Sequence, residues 1–372
     1  LGETIPVLCV KGSGWDLATI EPPGHPAVRL EPLQALRALD ALSDEAMVAA
    51  QRQNLIDPAA PNPSVEALLH AFLPHTFVDH THSTALLALA DQPDAEAICR
   101  EVYGERVVLV PYVMPGFALA RACAGAYEQA VTAGATPEGM VLLRHGLFSF
   151  GDTARQSYDR MIALVELAEA RLARGARRFE PVPLPERPVD AAALLPQLRG
   201  ALARAAGVEQ APRRWILDLR DTPLTRAVSD DARLADWAGR GVATPDHVIR
   251  TKAAPLVLPP EASPAAIEQA MEAYGRAYRA TFERQNARVG GHKRRLDALP
   301  RLIAVPGHGL IGVGRSAAEA AVAADLAESW ATTLLAAESI GRFQPVGEDD
   351  TFDMEYWSLE QAKLGQIGRA HV

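Results

Sequence analysis

The chain has 372 residues, of which 48% are apolar and 6% aromatic, and its formal net charge is −9. This length accommodates two domains of ordinary size with a globular apolar content. The acidic balance leaves no basic surface to neutralise nucleic-acid phosphates, and no apolar stretch reaches transmembrane length, so neither nucleic acid nor membrane is expected as a partner. The three cysteines, Cys9, Cys99 and Cys123, are far apart and odd in number. That is a reduced, cytoplasmic pattern rather than a disulfide framework. No signal-peptide pattern is visible at the N-terminus, where the chain begins at Leu1.

Residues Ile5–Val10 read as a short strand that runs into Lys11-Gly-Ser-Gly-Trp-Asp16. Two glycines around Ser13 allow a tight turn whose backbone N–H groups can hold a phosphate, and the same residues also suit an ordinary turn. Helical spacing follows over Glu31–Leu42, and Ser43 caps a helix through Gln53. The polar, proline-rich stretch Asn54–Pro63 is a loop. Ser64 then caps a helix with Glu66 in its first turn, where a carboxylate serves either the helix dipole or general base chemistry.

The next apolar run ends in Phe77-Val-Asp-His-Thr-His-Ser-Thr84. In a strand, residues i and i+2 face the same way, so His80 and His82 aim at one spot. A third histidine, His145, ends the apolar run that begins at Gly139. Three histidines without a nearby cysteine suit a catalytic zinc-type ion with one position open, although separate hydrogen-bonded histidines fit the same spacing. Between these runs lie a helix over Ser83–Asp91, a strand over Arg106–Pro111 and an alanine-rich helix over Ala118–Ala133. After His145, Gly151-Asp-Thr153 caps a long helix to about Gly175, with Ile162, Val165 and Leu167 as its buried stripe.

Pro63-Ser-x-Glu66, His80-Thr-His82, Val110-Pro-Tyr112 with Gly116, and Leu143-Arg-His-Gly-Leu147 stand in one order along the chain. Together they resemble the class II aldolase and adducin family. The segments Leu68–His75, Val113–Phe117 and Thr244-Pro-Asp-His-Val-Ile-Arg-Thr-Lys252 look like the aldolase part of bifunctional rhamnulose-1-phosphate aldolase/short-chain dehydrogenase proteins. The resemblance implies a three-layer α/β/α fold with a mostly antiparallel sheet. It also implies zinc or another divalent metal on His80, His82 and His145, Glu66 as acid/base, and Ser13, Gly14 and Ser64 at the substrate phosphate. The family's upstream Gly-Asn-Thr/Val-Ser phosphate loop is absent from this sequence, and Tyr112 and Tyr103 are the weakly aligned candidates for its catalytic tyrosine. The implied reaction is that of a carbon–carbon lyase, cleaving a ketose 1-phosphate such as rhamnulose 1-phosphate to dihydroxyacetone phosphate and a hydroxyaldehyde. The metal would act as a Lewis acid and the carboxylate would move the carbon-bound proton. Family sites lie at subunit interfaces, which implies a homo-oligomer. A sugar-phosphate epimerase on the same scaffold and a non-catalytic adducin-like binding module are the alternatives.

The second half reads as a degenerate copy. His145-Gly-Leu-Phe-Ser-Phe-Gly-Asp-Thr-Ala154 recurs as His308-Gly-Leu-Ile-Gly-Val-Gly-Arg-Ser-Ala317. Asp79-His-Thr-His-Ser-Thr84 is echoed by Asp246-His-Val-Ile-Arg-Thr251, which aligns His82 with Ile249 and puts the counterpart of Glu66 near Arg233. No metal is expected in this copy. Arg250 and Lys252 stand between a phosphate contact and ordinary surface charge. The expected organisation is a metal-binding domain over 1–180, a linker and helix over 181–212, the degenerate lobe over 213–342, and a tail over 343–372. Gly347–Asp353 reads as an acidic mobile segment. The terminal Gly365-Gln-Ile-Gly-Arg-Ala370 resembles the end of a short-chain dehydrogenase phosphate loop, so the tail is expected to lead toward such a domain in a parent protein, with no NAD bound by these residues.

Overall fold

The structure, a computed structural model, describes residues 2, 4–186, 189–206 and 214–366. Ile367 onward, and with it most of the dehydrogenase-like terminal motif, lies outside the described residues. The chain opens with β1 (Val7–Cys9), β2 (Ala27–Arg29), α1 (Leu30–Ala35), α2 (Asp44–Gln53), α3 (Ala67–Phe72) and β3 (Phe77–Thr81). It continues through α4 (Thr84–Ala90), α5 (Ala95–Tyr103), β4 (Val107–Val110), α6 (Phe117–Thr132), β5 (Gly139–Leu142), β6 (Gly146–Gly151) and α7 (Ala154–Leu172). The later part holds α8 (Ala191–Ala205), β7 (Ile216–Arg220), α9 (Pro223–Ser229), α10 (Leu234–Ala238), α11 (Val248–Thr251), β8 (Leu256–Val257) and α12 (Pro264–Arg288). It ends with β9 (Leu302–Val305), β10 (Gly309–Gly314), α13 (Ala317–Ile340), α14 (Glu348–Glu355) and α15 (Ser358–Gln366).

These elements form two compact units. The first comprises Leu1–Thr81, Cys99–Leu143 and Leu147–Leu164; the second comprises His82–Ile98, Arg144–Gly146 and Val165–Val372. In the first, a sheet of order β3-β6-β5-β4 pairs β3 antiparallel to β6 and β4 parallel to β5. Val108, Val110, Met140, Leu142, Phe148 and Phe150 send one face of this sheet into a core with α3 and α6, through Leu68, Leu69, Phe72, Leu119 and Cys123. Each buried phenylalanine there contributes about 1.5–3 kcal/mol of transfer free energy. On the other face, the Ser149 hydroxyl of β6 donates to the Ser157 carbonyl of α7 at 2.8 Å.

The second unit repeats this topology. Its sheet has the order β7-β10-β9-β8, with β7 and β9 antiparallel to β10 and β8 parallel to β9. Alternate strand residues go to opposite faces. Leu302, Ala304 and Leu310 join α4, α10 and α13 in one core, whereas Ile303, Val305, Ile311 and Val313 join α8 and α12 in another. Helices therefore cover both faces of this sheet, giving the α/β/α layering.

Several expectations are corrected. Gly146–Gly151 is a strand, an element absent from those expected between His145 and the next helix. All six residues are buried, so the period-2 pattern that betrays a half-exposed strand is missing. The buried positions of α7 include Met161, Leu164 and Ala168, while Ile162 is 42% exposed, so the expected stripe is out of phase. Gly347–Asp353 is mostly ordered as α14, because Arg284, Gln285 and Arg288 of α12 hold Glu348, Asp349 and Asp353. Asp246–Thr251 is not a strand: Pro245–His247 is a 3-10 turn and Val248–Thr251 a short helix. The true counterpart of β3 is β7. Thr81 pairs with Leu147 as Arg220 pairs with Leu310, so His80 corresponds to Leu219 and His82 to Asp221 rather than Ile249. Arg233 follows β7, whereas Glu66 precedes β3, so it is not the counterpart of Glu66 either.

Gly312 of β10 lies against α13, where an added Cβ would meet the Ala320 carbonyl and the Ala324 amide, both rigid backbone. Gly125, inside α6, has open space at the same position. Gly312→Ala is expected to lower stability by about 1–3 kcal/mol, and Gly125→Ala to raise it by up to about 1 kcal/mol. Urea unfolding followed by circular dichroism measures both, and a neutral Gly312→Ala would contradict this packing.

Candidate metal centre

The sheet register decides where the histidines go. The β3–β6 ladder ends at Thr81↔Leu147. His82 is the next residue beyond the ladder on one strand, and His145 lies in the turn Leu143–His145 just before the other. One ligand atom from each of His80, His82 and His145 can be chosen so that all lie within 4.8 Å of one another. The rings of His82 and His145 meet edge to face, with centroids 5.0 Å apart. Arg144, in the middle of that turn, has φ +60, and the matching residue in the second sheet is Gly307 with φ +85. A non-glycine residue in the left-handed region costs about 1 kcal/mol. The turn that presents His145 thus carries strain that the turn presenting His308 avoids.

His80 is held on two sides. Its Nδ1 lies 2.9 Å from the Leu147 carbonyl, and its ring stacks on Phe148 at 4.0 Å. A carbonyl only accepts, so Nδ1 carries the proton and Nε2 keeps its lone pair. Nε2 lies 3.5 Å from Oε2 of Glu66. Glu66 sits at the N-cap of α3, not in its first turn, and its backbone N–H donates to the Ser64 hydroxyl at 3.3 Å.

Ser13 and Gly14 lie in a turn beside the Asn62–Ser64 loop. The Ser13 N–H donates to the Asn62 carbonyl at 2.8 Å, and the Ser64 N–H donates to the Lys11 carbonyl at 3.0 Å. The Ser13 hydroxyl reaches the Pro63 carbonyl at 3.4 Å. Gly14 takes φ +86, a conformation that glycine adopts without strain. The two serine-bearing loops named in the sequence are therefore laced together two residues before Glu66.

Nearby groups set the electrostatics. Burial pushes the His70 imidazole below its ordinary range despite the carboxylates of Glu66 and Asp79, so it is neutral. Burial, with Glu66 nearby, pushes the Cys123 thiol up to about 12, which removes it as a nucleophile or anionic ligand at neutral pH. Tyr103 is 2% exposed and its hydroxyl is pushed well above its usual range by burial, which makes it a core residue; Tyr112 is partly exposed after β4. The donor set is three imidazoles and no thiolate, which fits zinc or a related divalent first-row ion with a position left for another ligand.

Sequence reasoning missed two neighbours of this centre. Asp246 Oδ1 lies 3.2 Å from His82 Nδ1, and the buried Thr244 hydroxyl is 3.4 Å from the same nitrogen. Partial burial opposes ionisation of Asp246, and the facing His82 and His247 rings with the Thr244 hydroxyl hold it below the usual carboxylate range nonetheless. Thr244 and Asp246 both belong to the sequence motif Thr244-Pro-Asp-His247, whose Pro245–His247 part is a 3-10 turn without a side-chain cap. Lys252 is neither a phosphate contact nor a surface charge. It is 4% exposed, with Nζ donating to the Asp297 carbonyl at 2.5 Å and lying over the Tyr278 ring at 3.7 Å. His308 is also occupied: its Nε2 lies 2.5 Å from the Val189 carbonyl. Among the described residues, His80, His82 and His145 are the cluster suited to a metal ion, and no helix is long and apolar enough to cross a membrane.

Residues 6–172 match the family model described as the class II aldolase and adducin N-terminal domain, and residues 189–364 match the aldolase class II second domain. The chain is similar to the uncharacterized oxidoreductase YuxG of Bacillus subtilis (strain 168), at 31% identity over 98% of this chain and 53% of that protein. It thus spans about half the length of the curated relative it matches. Among solved structures it is similar to the N-terminal class II aldolase domain of a conserved protein from Thermoplasma acidophilum, with 38% identity, 45% of this chain, 76% of that one and a TM-score of 0.42. It is also similar to YgbL from Klebsiella pneumoniae, with 20% identity, 46% of this chain, 79% of that one and a TM-score of 0.32.

The geometry predicts about one zinc ion per chain after loading. The ion should be lost in His82→Ala and retained in His308→Ala, as read by elemental analysis. Loss in His308→Ala with retention in His82→Ala would contradict the assignment.

Proposed function

Because the chain belongs to the class II aldolase and adducin family, we propose that it is a zinc-dependent carbon–carbon lyase. Its substrate would be a ketose 1-phosphate of the rhamnulose 1-phosphate kind, cleaved to dihydroxyacetone phosphate and a hydroxyaldehyde. One observation carries this reading: the Glu66 carboxylate stands 3.5 Å from Nε2 of His80, a nitrogen of the three-histidine cluster. A base in that position can act on the carbon next to the oxygens that an ion on His80, His82 and His145 would hold. When bound, the ion supplies Lewis-acid stabilisation of negative charge developing on the substrate oxygens.

The residues of the chain supply the rest. Cleavage breaks the bond between C3 and C4; the C4 hydroxyl loses its proton to a base and C3 gains one. Glu66 delivers the proton to C3, and in the synthetic direction removes it. The hydrogen bond from its backbone to Ser64 fixes the start of α3, which holds the carboxylate against the cluster. The Lys11–Gly14 turn and Ser64 receive the phosphate, with Ser13, Gly14 and Ser64 nearest to it. The leaving oxygen needs a second acid/base, for which Tyr112 is the remaining candidate. Assembly as a homo-oligomer belongs to the same proposal, as does a dehydrogenase activity in a longer parent protein.

Glu66→Gln is the informative variant, since it keeps shape and removes the proton-transfer group. The zinc-loaded variant should hold its ion while triose phosphate release from ketose 1-phosphates falls about 10²–10⁴-fold. Epimer formation by the wild type without triose phosphate would turn the reading toward an epimerase. Zinc binding with no turnover of any sugar phosphate would turn it toward a binding module.

A further inference from the structure

We propose that Asp246, braced by Thr244, is the positioning residue that orients His82 as a metal ligand, which makes the Thr244-Pro-Asp-His247 turn part of the metal centre. The inference rests on the three-histidine reading above. His82 and His145 belong to the same compact unit as Thr244 and Asp246, although the family model matched by the histidines ends at residue 172 and that matched by the turn begins at 189.

His80 and His82 face different acceptors at Nδ1. His80 is inside the β3–β6 ladder, where the facing strand offers the Leu147 carbonyl to its Nδ1 at 2.9 Å. His82 has passed the end of the ladder, beyond the last paired carbonyl of β6. Asp246 Oδ1 stands 3.2 Å from its Nδ1. A carboxylate accepts a hydrogen bond, so the proton is fixed on Nδ1 and the lone pair on Nε2. Two ligands of the cluster then present the same nitrogen through different acceptors.

Asp246 is itself held. The Thr244 hydroxyl lies 2.9 Å from Asp246 Oδ1 and 3.2 Å from the His145 carbonyl, with acceptors for its one proton on both sides. Thr244 is 1% exposed, so this hydroxyl has little water to turn to. The 3-10 turn Pro245–His247, with the His247 N–H donating to the Thr244 carbonyl at 3.1 Å, fixes the spacing between Thr244 and Asp246. One threonine thus touches the orienting carboxylate of one ligand and the backbone of another. The Asp246 side chain is 49% exposed, and a carboxylate that exposed ordinarily gains little from an ion pair. A role in fixing a ring accounts for the bracing better than a role in stability.

The test combines zinc affinity with the tautomer of His82. Competition against a chromophoric chelator gives the zinc Kd of wild type, Asp246→Asn and His82→Ala, with circular dichroism as the control for folding. Asp246→Asn should still bind one zinc per chain, about 10–100-fold more weakly. Nitrogen-15 NMR of the metal-free wild type should find His82 protonated on Nδ1, and that preference should weaken in Asp246→Asn. Wild-type affinity in Asp246→Asn, with zinc lost in His82→Ala, would overturn the positioning role and leave the metal centre standing. An Nε2–H tautomer of His82 in wild type would overturn it without any variant. Wild-type zinc binding in His82→Ala would remove the metal reading and this inference together.

Discussion

Everything at the candidate site hangs on the register of one strand pair. Thr81 faces Leu147 in the β3–β6 ladder. That single alignment delivers a backbone carbonyl to His80, sets His82 one residue beyond the sheet, and brings in the turn carrying His145. A slip by one residue would send every β3 side chain to the opposite face. The register is locked from the apolar side, where Phe148 and Phe150 of β6 are fully buried in a core with α3 and α6. Packing on one face therefore sets the placement of the imidazoles. The same core carries α3, whose N-terminus presents Glu66, so Glu66 and His80 share one support.

The second sheet shows what the framework does without these residues. It has the same strand order and the same three-residue turn ending in a histidine before a glycine, yet Leu219 and Asp221 stand where His80 and His82 stand in the first. Arg220, beside them, is engaged with Asp218, Asp325 and Glu328. His308 is turned to the Val189 carbonyl. The shared topology thus carries two different sets of side chains. The turn before β10 uses Gly307 in the left-handed region, whereas the turn before β6 uses Arg144 there. Backbone strain at the equipped turn, and not at the other, is what a functional constraint produces.

The candidate site is legible in the sequence where its residues sit in short motifs. The i, i+2 spacing of His80 and His82 requires only a strand, and β3 holds His80 and ends at Thr81, one residue short of His82. Ser13 and Gly14 lie far from Ser64 in the sequence, and hydrogen bonding joins their two loops. What sequence could not give follows from burial and from distance along the chain. The fully buried β6 has no alternation to read. The register that equates His82 with Asp221 depends on strand pairing, so a local echo of Asp-His led to Ile249, on a helix. Asp246 lies 164 positions after His82 in the chain, and only the fold reveals that contact.

The most direct measurement is an anomalous difference map from crystals of the zinc-loaded protein, recorded above and below the zinc K edge. One peak per chain is expected, bounded by His80, His82 and His145, with Glu66 beside it. A peak on other residues, or none at this cluster after loading, would contradict a metal centre on these three histidines.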